Sequence, residues 1–319
     1  MAVRVGFVGC GGMARGHMKT LAEMNDAKMV AFCDVQKDRA ESAATEYKGT
    51  AYTDHREMLE REDLQALYTV VPPGAHTDAE IMAAKKGIHL FIEKPVAATL
   101  GKAREIEAAI RASGVVSSVG YHWRYQDSTA VAKEKLANRT VGMVLGYWMG
   151  GLPGVPWWRV MSGSAGQMVE QTTHIFDLAR YLVGDVRRVF SFQALRTLTD
   201  VPNLDVPDFG TALLEFENGA ISTFSNTCAL DFGYTVGLHI VCRNMVIEVG
   251  SRIIESGNAV PMENKTNPNA AENRAFIDAV KTGKRDAILS DYSDAVRTLA
   301  VTLAANESAA TGKPVALKE

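Results

Sequence analysis

The chain has 319 residues, of which 47% are apolar, and this length is enough for two domains. Its formal net charge is −3 and no basic stripe is present, which excludes nucleic acid as an expected partner. Its four cysteines form no C-x-x-C pair, and no apolar run approaches the roughly 18 residues of a membrane span. We therefore expect reduced thiols, no metal and no membrane partner, in a cytoplasmic protein.

The first part of the chain alternates short apolar runs with helical patterns, beginning with the strand-like VRVGFV. Strands are predicted at 3–8, 29–34, 50–53, 66–71, 89–93 and 115–120, and helices at 12–24, 36–48, 54–62, 75–86 and 99–113. Asp54 is the predicted N-cap of the third helix. This alternation predicts right-handed βαβ units and a doubly wound parallel sheet over residues 1–122.

The pattern changes after about residue 123, where strand-like runs dominate. One helix is predicted at 165–182, and strands follow at 187–195, 210–218, 219–229, 235–243, 244–250 and 251–256. Asn218-Gly219 favours a hairpin turn, and two helices at 270–282 and 291–311 close the chain. Residues 123–319 are thus predicted to form an α+β domain with a large, mostly antiparallel open sheet, whose C-terminal helix can pack back toward the first domain.

A glycine-rich turn follows the first predicted strand and opens the first helix. GFVGCGGMA contains Gly9-x-Gly11-x-x-Ala14, and the acidic Asp34 ends the second strand twenty residues later. This context is that of the dinucleotide fingerprint, in which the helix N-terminus binds pyrophosphate and the carboxylate binds the adenosine ribose. An ordinary strand–helix turn is the alternative. Asp34 favours NAD over NADP, although nearby Lys37 and Arg39 leave NADP possible.

The fifth predicted strand runs directly into Glu93-Lys94-Pro95. Ligands of doubly wound sheets bind at the carboxyl ends of the strands, and Pro95 stops the strand and fixes the direction in which the chain leaves it. The pattern therefore favours a positioned lysine over one that merely extends to solvent from a strand end.

A second polar group lies in the helical pattern GSAGQMVEQTTHIFDLARYL. Glu170, His174 and Asp177 stand at i, i+4 and i+7, which places all three on one face of a single continuous helix. A histidine between two carboxylates can be an acid–base catalyst, a metal ligand or a buried structural residue. We favour acid–base catalysis, since the second histidine of H-E-x-x-H is missing.

Aromatic and arginine side chains follow the sixth strand and precede the second motif. GYHWRY holds Tyr121, His122, Trp123 and Arg124, and PWWR holds Trp157, Trp158 and Arg159. Aromatic faces with a guanidinium suit a sugar ring, although packing at the domain junction explains them equally well.

Taken together, the glycine turn, Asp34 and EKP resemble the glucose–fructose oxidoreductase / inositol dehydrogenase / MocA family of nicotinamide-dependent oxidoreductases. VPPGAH, the strand-rich second half and the closing ESAATGKPV extend the resemblance over nearly the whole chain. The resemblance implies that Lys94 lies beside the nicotinamide and that Pro73 and His76 line the cofactor cleft. It also implies that His174 is the catalytic histidine. Glu170 stands where many members have aspartate, and GSAG replaces a triple glycine, which leaves the substrate open.

From the motifs and the resemblance, residue roles are assigned as follows. The predicted catalytic residues are Lys94, His174 and Glu170. The predicted cofactor-binding residues are Gly9, Gly11, Gly12, Met13, Asp34, Pro72, Pro73, His76, Glu93 and Lys94. The predicted substrate-binding residues are Tyr121, Trp123, Arg124, Trp158, Arg159 and Asp177.

The predicted activity is hydride transfer between NAD(H) and a carbinol carbon of a sugar, polyol or inositol-like substrate, with Lys94 and His174 handling the proton. A nicotinamide-binding sensor without turnover and a glycosidase that uses NAD in a transient redox cycle are the alternatives. The open sheet of the second half predicts a homodimer or homotetramer.

Overall fold

The computed structural model describes residues 2–317, which divide into two compact units. The first comprises the residues up to Ala97 together with Gly101–His122 and Pro268–Val296. The second comprises Ala98–Leu100, Trp123–Asn267 and the residues from Arg297 onward. Among residues 2–317, no helix is long and apolar enough to span a membrane.

A six-stranded parallel sheet forms the centre of the first unit. Its strands are β1 (Val3–Val8), β2 (Ala27–Cys33), β3 (Thr50–Tyr52), β4 (Ala66–Thr69), β5 (His89–Ile92) and β6 (Ser117–Val119), in the order β3-β2-β1-β4-β5-β6. Its helices are α1 (Gly12–Ala22), α2 (Lys37–Tyr47), α3 (His55–Arg61), α4 (Ala79–Lys85), α5 (Leu100–Ser113) and α10 (Pro268–Thr282). The predicted Rossmann-like, doubly wound sheet is confirmed.

Aromatic side chains of neighbouring strands stack to form the core of this unit. The Tyr68 ring centroid lies 4.9 Å from that of Phe7 and 4.6 Å from that of Phe91, and all three side chains are buried. Phe276 of α10 packs edge-on against Tyr68 and Phe91, which attaches this late helix to the early strands. These rings fix the sheet whose carboxyl edge carries the glycine turn and the EKP segment.

A nine-stranded sheet forms the centre of the second unit. Its strands are β7 (Val141–Gly151), β8 (Val186–Ala194), β9 (Phe209–Phe216), β10 (Ile221–Leu230), β11 (Thr235–Cys242), β12 (Met245–Glu248), β13 (Arg252–Glu255), β14 (Asn258–Pro261) and β15 (Val315–Ala316), in the order β14-β13-β12-β11-β7-β10-β9-β8-β15. The other helices are α6 (Asp127–Leu136), α7 (Met161–Ser164), α8 (Gln167–Glu170), α9 (Thr173–Val183) and α11 (Tyr292–Thr311), of which α11 contributes residues to both units. The predicted, mostly antiparallel sheet is confirmed.

Strand β7 is central to this sheet, and the sequence reading missed it. It pairs parallel with β10 and antiparallel with β11. Glycines interrupt its apolar pattern, and packing requires the one at position 146: a Cβ on Gly146 would lie 2.5 Å from the Phe224 ring. The turn at Asn218-Gly219 between β9 and β10 is confirmed, as is the Asp54 N-cap, which accepts a hydrogen bond from the Arg56 N–H.

The two faces of the nine-stranded sheet differ. On one face, Phe224 stacks on Phe176 of α9 with 4.5 Å between the ring centroids. On the other face, apolar side chains are exposed at regular positions of neighbouring strands, among them Phe192, Leu213 and Ile221. This alternation follows from the two-residue period of a strand.

The single helix predicted at 165–182 is wrong. The structure divides this segment into α8 and α9, and the Thr172 N–H bonds to the Gln167 carbonyl while the Ile175 N–H bonds to that of Thr172. Adjacent β-branched threonines at 172 and 173 weaken helix propagation at this point. Glu170 therefore lies at the end of a short helix, and His174 lies in the first turn of the next one.

Candidate active site

The glycine turn between β1 and α1 cannot accept a side chain at its first position. Gly9 has φ +91°, and a Cβ there would lie 2.1 Å from the Val70 carbonyl oxygen. At Gly11 and Gly12, by contrast, a Cβ would meet no atom within 4 Å. The turn thus packs tightly on β4 at one glycine and leaves open space at the next two.

Helix α1 begins in that open space. Gly11 is its N-cap and offers no side chain to the backbone, and Met13 in the first turn is 55% exposed. The first N–H groups of a helix have no intrahelical partner and carry the positive end of the dipole. This end of α1 is therefore chemically suited to a pyrophosphate.

Asp34 directly follows β2 and holds the glycine turn by hydrogen bonds to backbone N–H groups. One carboxylate oxygen accepts the Cys10 N–H and the other accepts the Gln36 N–H, each at 2.8 Å. Burial, reinforced by the Asp34 charge, raises the pKa of Cys10 to about 12, so this thiol is neutral. Because a carboxylate oxygen has two lone pairs, Asp34 retains acceptor capacity for ribose hydroxyls. The glycines, the helix end and this carboxylate together fit a dinucleotide.

The EKP segment follows β5, and its glutamate points into the protein. Glu93 is 4% exposed, and its Oε1 lies 2.9 Å from Nε2 of His17. Its Oε2 accepts the Lys94 N–H at 3.0 Å, and a Cβ on Gly120 would lie 2.5 Å from Oε1. Lys94 is half-buried and precedes a cis peptide bond to Pro95. Glu93, predicted to bind the cofactor, supports the lysine backbone, and a direct cofactor contact stays a prediction.

His122 is a polar neighbour of this segment, and the sequence pattern included it without a predicted role. Burial lowers its pKa, the Glu93 charge opposes that shift, and the Lys94 charge adds to it. The sequence signal for a role at this site was its position directly after Tyr121, at the end of the sixth predicted strand. Tyr121 itself is only 1% exposed.

The VPP segment begins a short 3-10 turn, Pro73–Ala75, after half-buried Pro72. His76 follows it, and its buried Nδ1 lies 2.6 Å from Oε1 of equally buried Glu80. The His76 side chain thus contacts Glu80 in the interior, and its role in the cofactor cleft stays a prediction.

In the second unit, His174 lies in a layer of three near-parallel rings. Its ring centroid is 5.5 Å from that of Trp123 and 6.1 Å from that of Trp148, and the two indoles are 6.0 Å apart. His174 is buried, whereas both tryptophans are half-buried. Trp148 belongs to the missed strand β7, so the sequence reading did not select it.

Glu170 and Trp158 are joined directly. The buried Trp158 indole donates a hydrogen bond from Nε1 to Oε2 of half-buried Glu170 at 2.7 Å. This contact orients the carboxylate at the end of α8. Arg159 is half-buried beside them, and its backbone carbonyl accepts the Asp205 N–H.

Arg124 and Asp177 form a buried ion pair with each other. The guanidinium donates twice to the carboxylate, with Nε 2.7 Å from Oδ2, and Asp177 also accepts the Thr298 hydroxyl at 3.0 Å. Paired, bidentate contacts of this kind are directional. The pair joins the turn that carries Trp123 to the helix that carries His174. A substrate contact for either residue stays a prediction.

Comparison with known proteins agrees with this architecture. The family model described as "Oxidoreductase family, NAD-binding Rossmann fold" matches residues 3–121, and that of the "GFO/IDH/MocA C-terminal domain" matches residues 129–248. Together they cover well over half of the chain.

The chain belongs to the GFO/IDH/MocA oxidoreductase family. Among its relatives, the scyllo-inositol 2-dehydrogenase (NAD(+)) of Bacillus subtilis is 26% identical over 99% of this chain and 96% of that protein. The D-glucoside 3-dehydrogenase of Escherichia coli is 29% identical over 72% of this chain and 71% of that protein. The WlbA dehydrogenase of Bordetella pertussis, solved with NADH and UDP-GlcNAcA, has the same fold, with a TM-score of 0.87 at 20% identity over 100% of both chains.

Membership of this family confirms the predicted oxidoreductase class and the NAD-binding Rossmann fold of the first unit. It agrees with the local fit of the glycine turn, the α1 N-terminus and Asp34 to a dinucleotide. The individual roles of Lys94, His174 and Glu170 stay predictions.

Two glycine substitutions separate folding from cofactor binding. We expect Gly9→Ala to destabilise the protein strongly, because its Cβ meets the Val70 carbonyl and its φ is positive. We expect Gly12→Ala to keep the wild-type melting temperature and to weaken NADH binding, because its methyl group enters the open space at the helix end. Thermal unfolding and NADH fluorescence titration measure the two effects. Equal melting temperatures for wild type and Gly9→Ala would contradict the packing argument.

Proposed function

We propose that the protein is an NAD-dependent dehydrogenase that oxidises a secondary hydroxyl group of a sugar, polyol or inositol-like ring. The observation that carries the proposal is the buried imidazole of His174 within its layer of indole rings. The family adds the oxidoreductase class, and the relatives named above act, by their names, on an inositol and on a glucoside.

The first unit holds the cofactor in this proposal. The α1 N-terminus at Gly11 and Gly12 binds the pyrophosphate, and Asp34 accepts hydrogen bonds from the ribose. NAD, when bound, supplies the hydride acceptor, C4 of its nicotinamide. The carboxylate at position 34 disfavours a ribose phosphate through charge repulsion, so NAD is the proposed cofactor in preference to NADP.

His174 and Lys94 both act on the hydroxyl group of the substrate. His174 removes the proton of the substrate hydroxyl during oxidation, as a general base. Lys94 donates a hydrogen bond to the same oxygen and stabilises the negative charge that develops on it. The Arg124–Asp177 pair serves His174 by holding its helix, and the Glu93 carboxylate serves Lys94 by holding its backbone.

Glu170 binds a hydroxyl group next to the reacting carbon. Its hydrogen bond from Trp158 fixes the direction of the side chain. A glutamate reaches one methylene further than an aspartate, which moves that hydroxyl contact and so changes which substrates align well.

The half-buried indoles of Trp123 and Trp148 favour a ring-shaped substrate. The C–H face of a pyranose or cyclitol stacks on an aromatic face, which an open-chain polyol matches poorly. Since both indoles lie beside His174, a ring stacked on them brings its hydroxyl groups close to the imidazole.

The exposed face of the nine-stranded sheet is proposed to bind a second copy of the chain. Phe192, Leu213 and Ile221 lie on three neighbouring strands and are at least half exposed. An open sheet face with several exposed apolar side chains is suited to an interface, and pairing of two identical sheets closes it symmetrically. The second unit then serves both substrate binding and oligomerisation.

Loss of either proton-handling group tests the proposed reaction. We expect Lys94→Ala and His174→Ala each to lower kcat by about 10²- to 10⁴-fold, with NADH affinity nearly unchanged. The measurement is NADH formation across a panel of inositols, pyranosides and open-chain polyols, with NAD and NADP compared. Lys86→Ala, which removes an exposed lysine, is the matched control and keeps full activity. Undiminished turnover by Lys94→Ala would refute its role, and wild-type NADH binding without turnover on any substrate would indicate a sensor.

The aromatic layer predicts a substrate preference that can be altered. We expect Trp148→Leu to lower kcat/KM for ring substrates by roughly tenfold, with a smaller effect on open-chain polyols, since an aromatic contact contributes about 1 kcal/mol. Trp148→Phe keeps an aromatic face and should retain most of the activity. An equal loss for rings and open chains would show that Trp148 acts only through packing.

The proposed interface predicts that charged substitutions on the exposed sheet face lower the mass of the oligomer in solution. We expect the wild type to sediment as a dimer or tetramer, and the double variant Leu213→Lys, Ile221→Lys to sediment as a smaller species, because two buried ammonium groups oppose association. Val35→Lys, which changes an apolar residue that is 90% exposed in the first unit, is the matched control and keeps the wild-type mass. A monomeric wild type would end the proposal.

A further inference from the structure

A buried cluster of ionisable groups lies beneath the EKP segment in the first unit. His17 of α1, Glu93 after β5 and Glu272 of α10 each place a nitrogen or oxygen atom within 4.8 Å of the others. Their residues are 4%, 4% and 0% exposed. Three groups of this kind cannot all be charged at such proximity without a large electrostatic penalty, so their protonation states are constrained.

The hydrogen bonds around His17 define its tautomer. Its Nε2 lies 2.9 Å from the Glu93 carboxylate, which can only accept when ionised. Its Nδ1 lies 3.0 Å from Nδ2 of Asn273, a donor, whereas the Asn273 Oδ1 is further away at 3.3 Å. A proton on His17 Nε2 satisfies both contacts, because Nε2 then donates to Glu93 and Nδ1 accepts from Asn273.

Glu272 differs from Glu93 in having no hydrogen-bond partner among the described residues. Both of its carboxylate oxygens are buried, and the nearest charge is that of Glu93. Burial, followed by repulsion from Glu93, raises the pKa of Glu272 well above its usual value. Among the described residues the buried Tyr68 hydroxyl also has no hydrogen-bond partner, and burial raises its pKa. The burial of both oxygens, their lack of hydrogen-bond donors within residues 2–317 and the proximity of Glu93 all favour a protonated, neutral Glu272.

A divalent cation bound by His17, Glu93 and Glu272 is the competing explanation, since it would allow both carboxylates to ionise. The His17 Nε2 and Glu93 Oε1 atoms are, however, hydrogen-bonded to each other. A proton on Glu272 leaves this hydrogen bond intact, whereas a bound cation would have to compete with it.

We propose that Glu93 is a positioning residue for Lys94, and that Glu272 is held as a neutral acid so that Glu93 stays ionised and directed at His17 and the Lys94 backbone. The Lys94 N–H bond to Glu93 is the connection to the reaction, and this step rests on the proposed role of Lys94. An ionised Glu272 would repel the Glu93 carboxylate. The hydrogen bond that holds the Lys94 backbone would then be weakened. His17 orients the same carboxylate from the opposite side.

The proton on Glu272 makes the stability of the protein depend on pH in a defined direction. The unfolded chain releases this proton above the ordinary glutamate pKa of 4.5, whereas the folded protein retains it. Its stabilising contribution is thus fully present below pH 4.5 and is lost as the pH rises toward the folded pKa. His17, Glu93, Tyr68 and Arg274 near the cluster also titrate or carry charge, but they are common to the wild type and a Glu272→Gln variant.

The decisive experiment compares chemical unfolding of the wild type and Glu272→Gln from pH 5 to pH 8. We expect the unfolding equilibrium constant of the wild type, relative to the variant, to rise by about tenfold per pH unit. The infrared carbonyl band of a protonated carboxylic acid should be present in the wild type at neutral pH and absent in Glu272→Gln. The matched control is Glu60→Gln, an exposed position, which keeps both the band and the wild-type pH dependence.

The positioning role has its own measurement. We expect Glu93→Gln to lower kcat by about tenfold or more and to change the pH profile of kcat, with KM and NADH affinity little affected. Glu93→Asp should restore part of kcat because it restores the charge.

Parallel pH dependence of the wild type and Glu272→Gln, without the infrared band, would overturn the neutral acid. One equivalent of a divalent metal in the purified wild type, lost in Glu272→Gln, would replace the proposal with a cation site. Both readouts are independent of turnover, so they stand even if the proposed activity fails.

Discussion

The buried carboxylate of Glu93 is the contact on which the arrangement of the first unit's site depends. It receives the backbone N–H of Lys94 and the imidazole of His17, so it joins the end of β5 to α1. Gly120 provides the space for it, because any side chain there would overlap the carboxylate. A charge can remain in this interior only because its partners donate hydrogen bonds and its neighbour Glu272 is neutral.

The second unit also buries charged side chains, and there an arginine and an aspartate stabilise each other. The Arg124–Asp177 ion pair is buried, and it links the turn that carries Trp123 to the helix that carries His174. Buried pairs add little net stability, but breaking one leaves an uncompensated charge, so they specify geometry. Arg124 and Asp177, which the sequence predicts to bind substrate, thus bind each other, and a substrate contact for either residue stays a prediction. The half-buried indoles and the half-buried Glu170 are the groups proposed to contact the substrate.

The sequence predicted the first unit's elements well because its signals are local. Apolar runs of strand length, the Asp54 cap and the glycine turn each depend on a few adjacent residues. Strand β7 was missed because glycines interrupt its apolar pattern, and Gly146 among them is explained only by packing against Phe224, which is distant in the chain. The helix at 165–182 was predicted as continuous because the periodicity is helical throughout, and its interruption at Thr172 is visible only in the hydrogen bonds. Trp148 was missed together with its strand.

By itself, the sequence determined the fold class, the dinucleotide turn, and the prominence of Lys94 and His174, since each rests on short-range periodicity or spacing. Only the tertiary structure decided which polar groups point inward. Glu93 and Glu272 are 179 positions apart and Arg124 and Asp177 are 53 apart. Whether a carboxylate meets a cation, a second carboxylate or solvent depends on folding of the intervening chain, and the protonation of Glu272 follows from that placement alone.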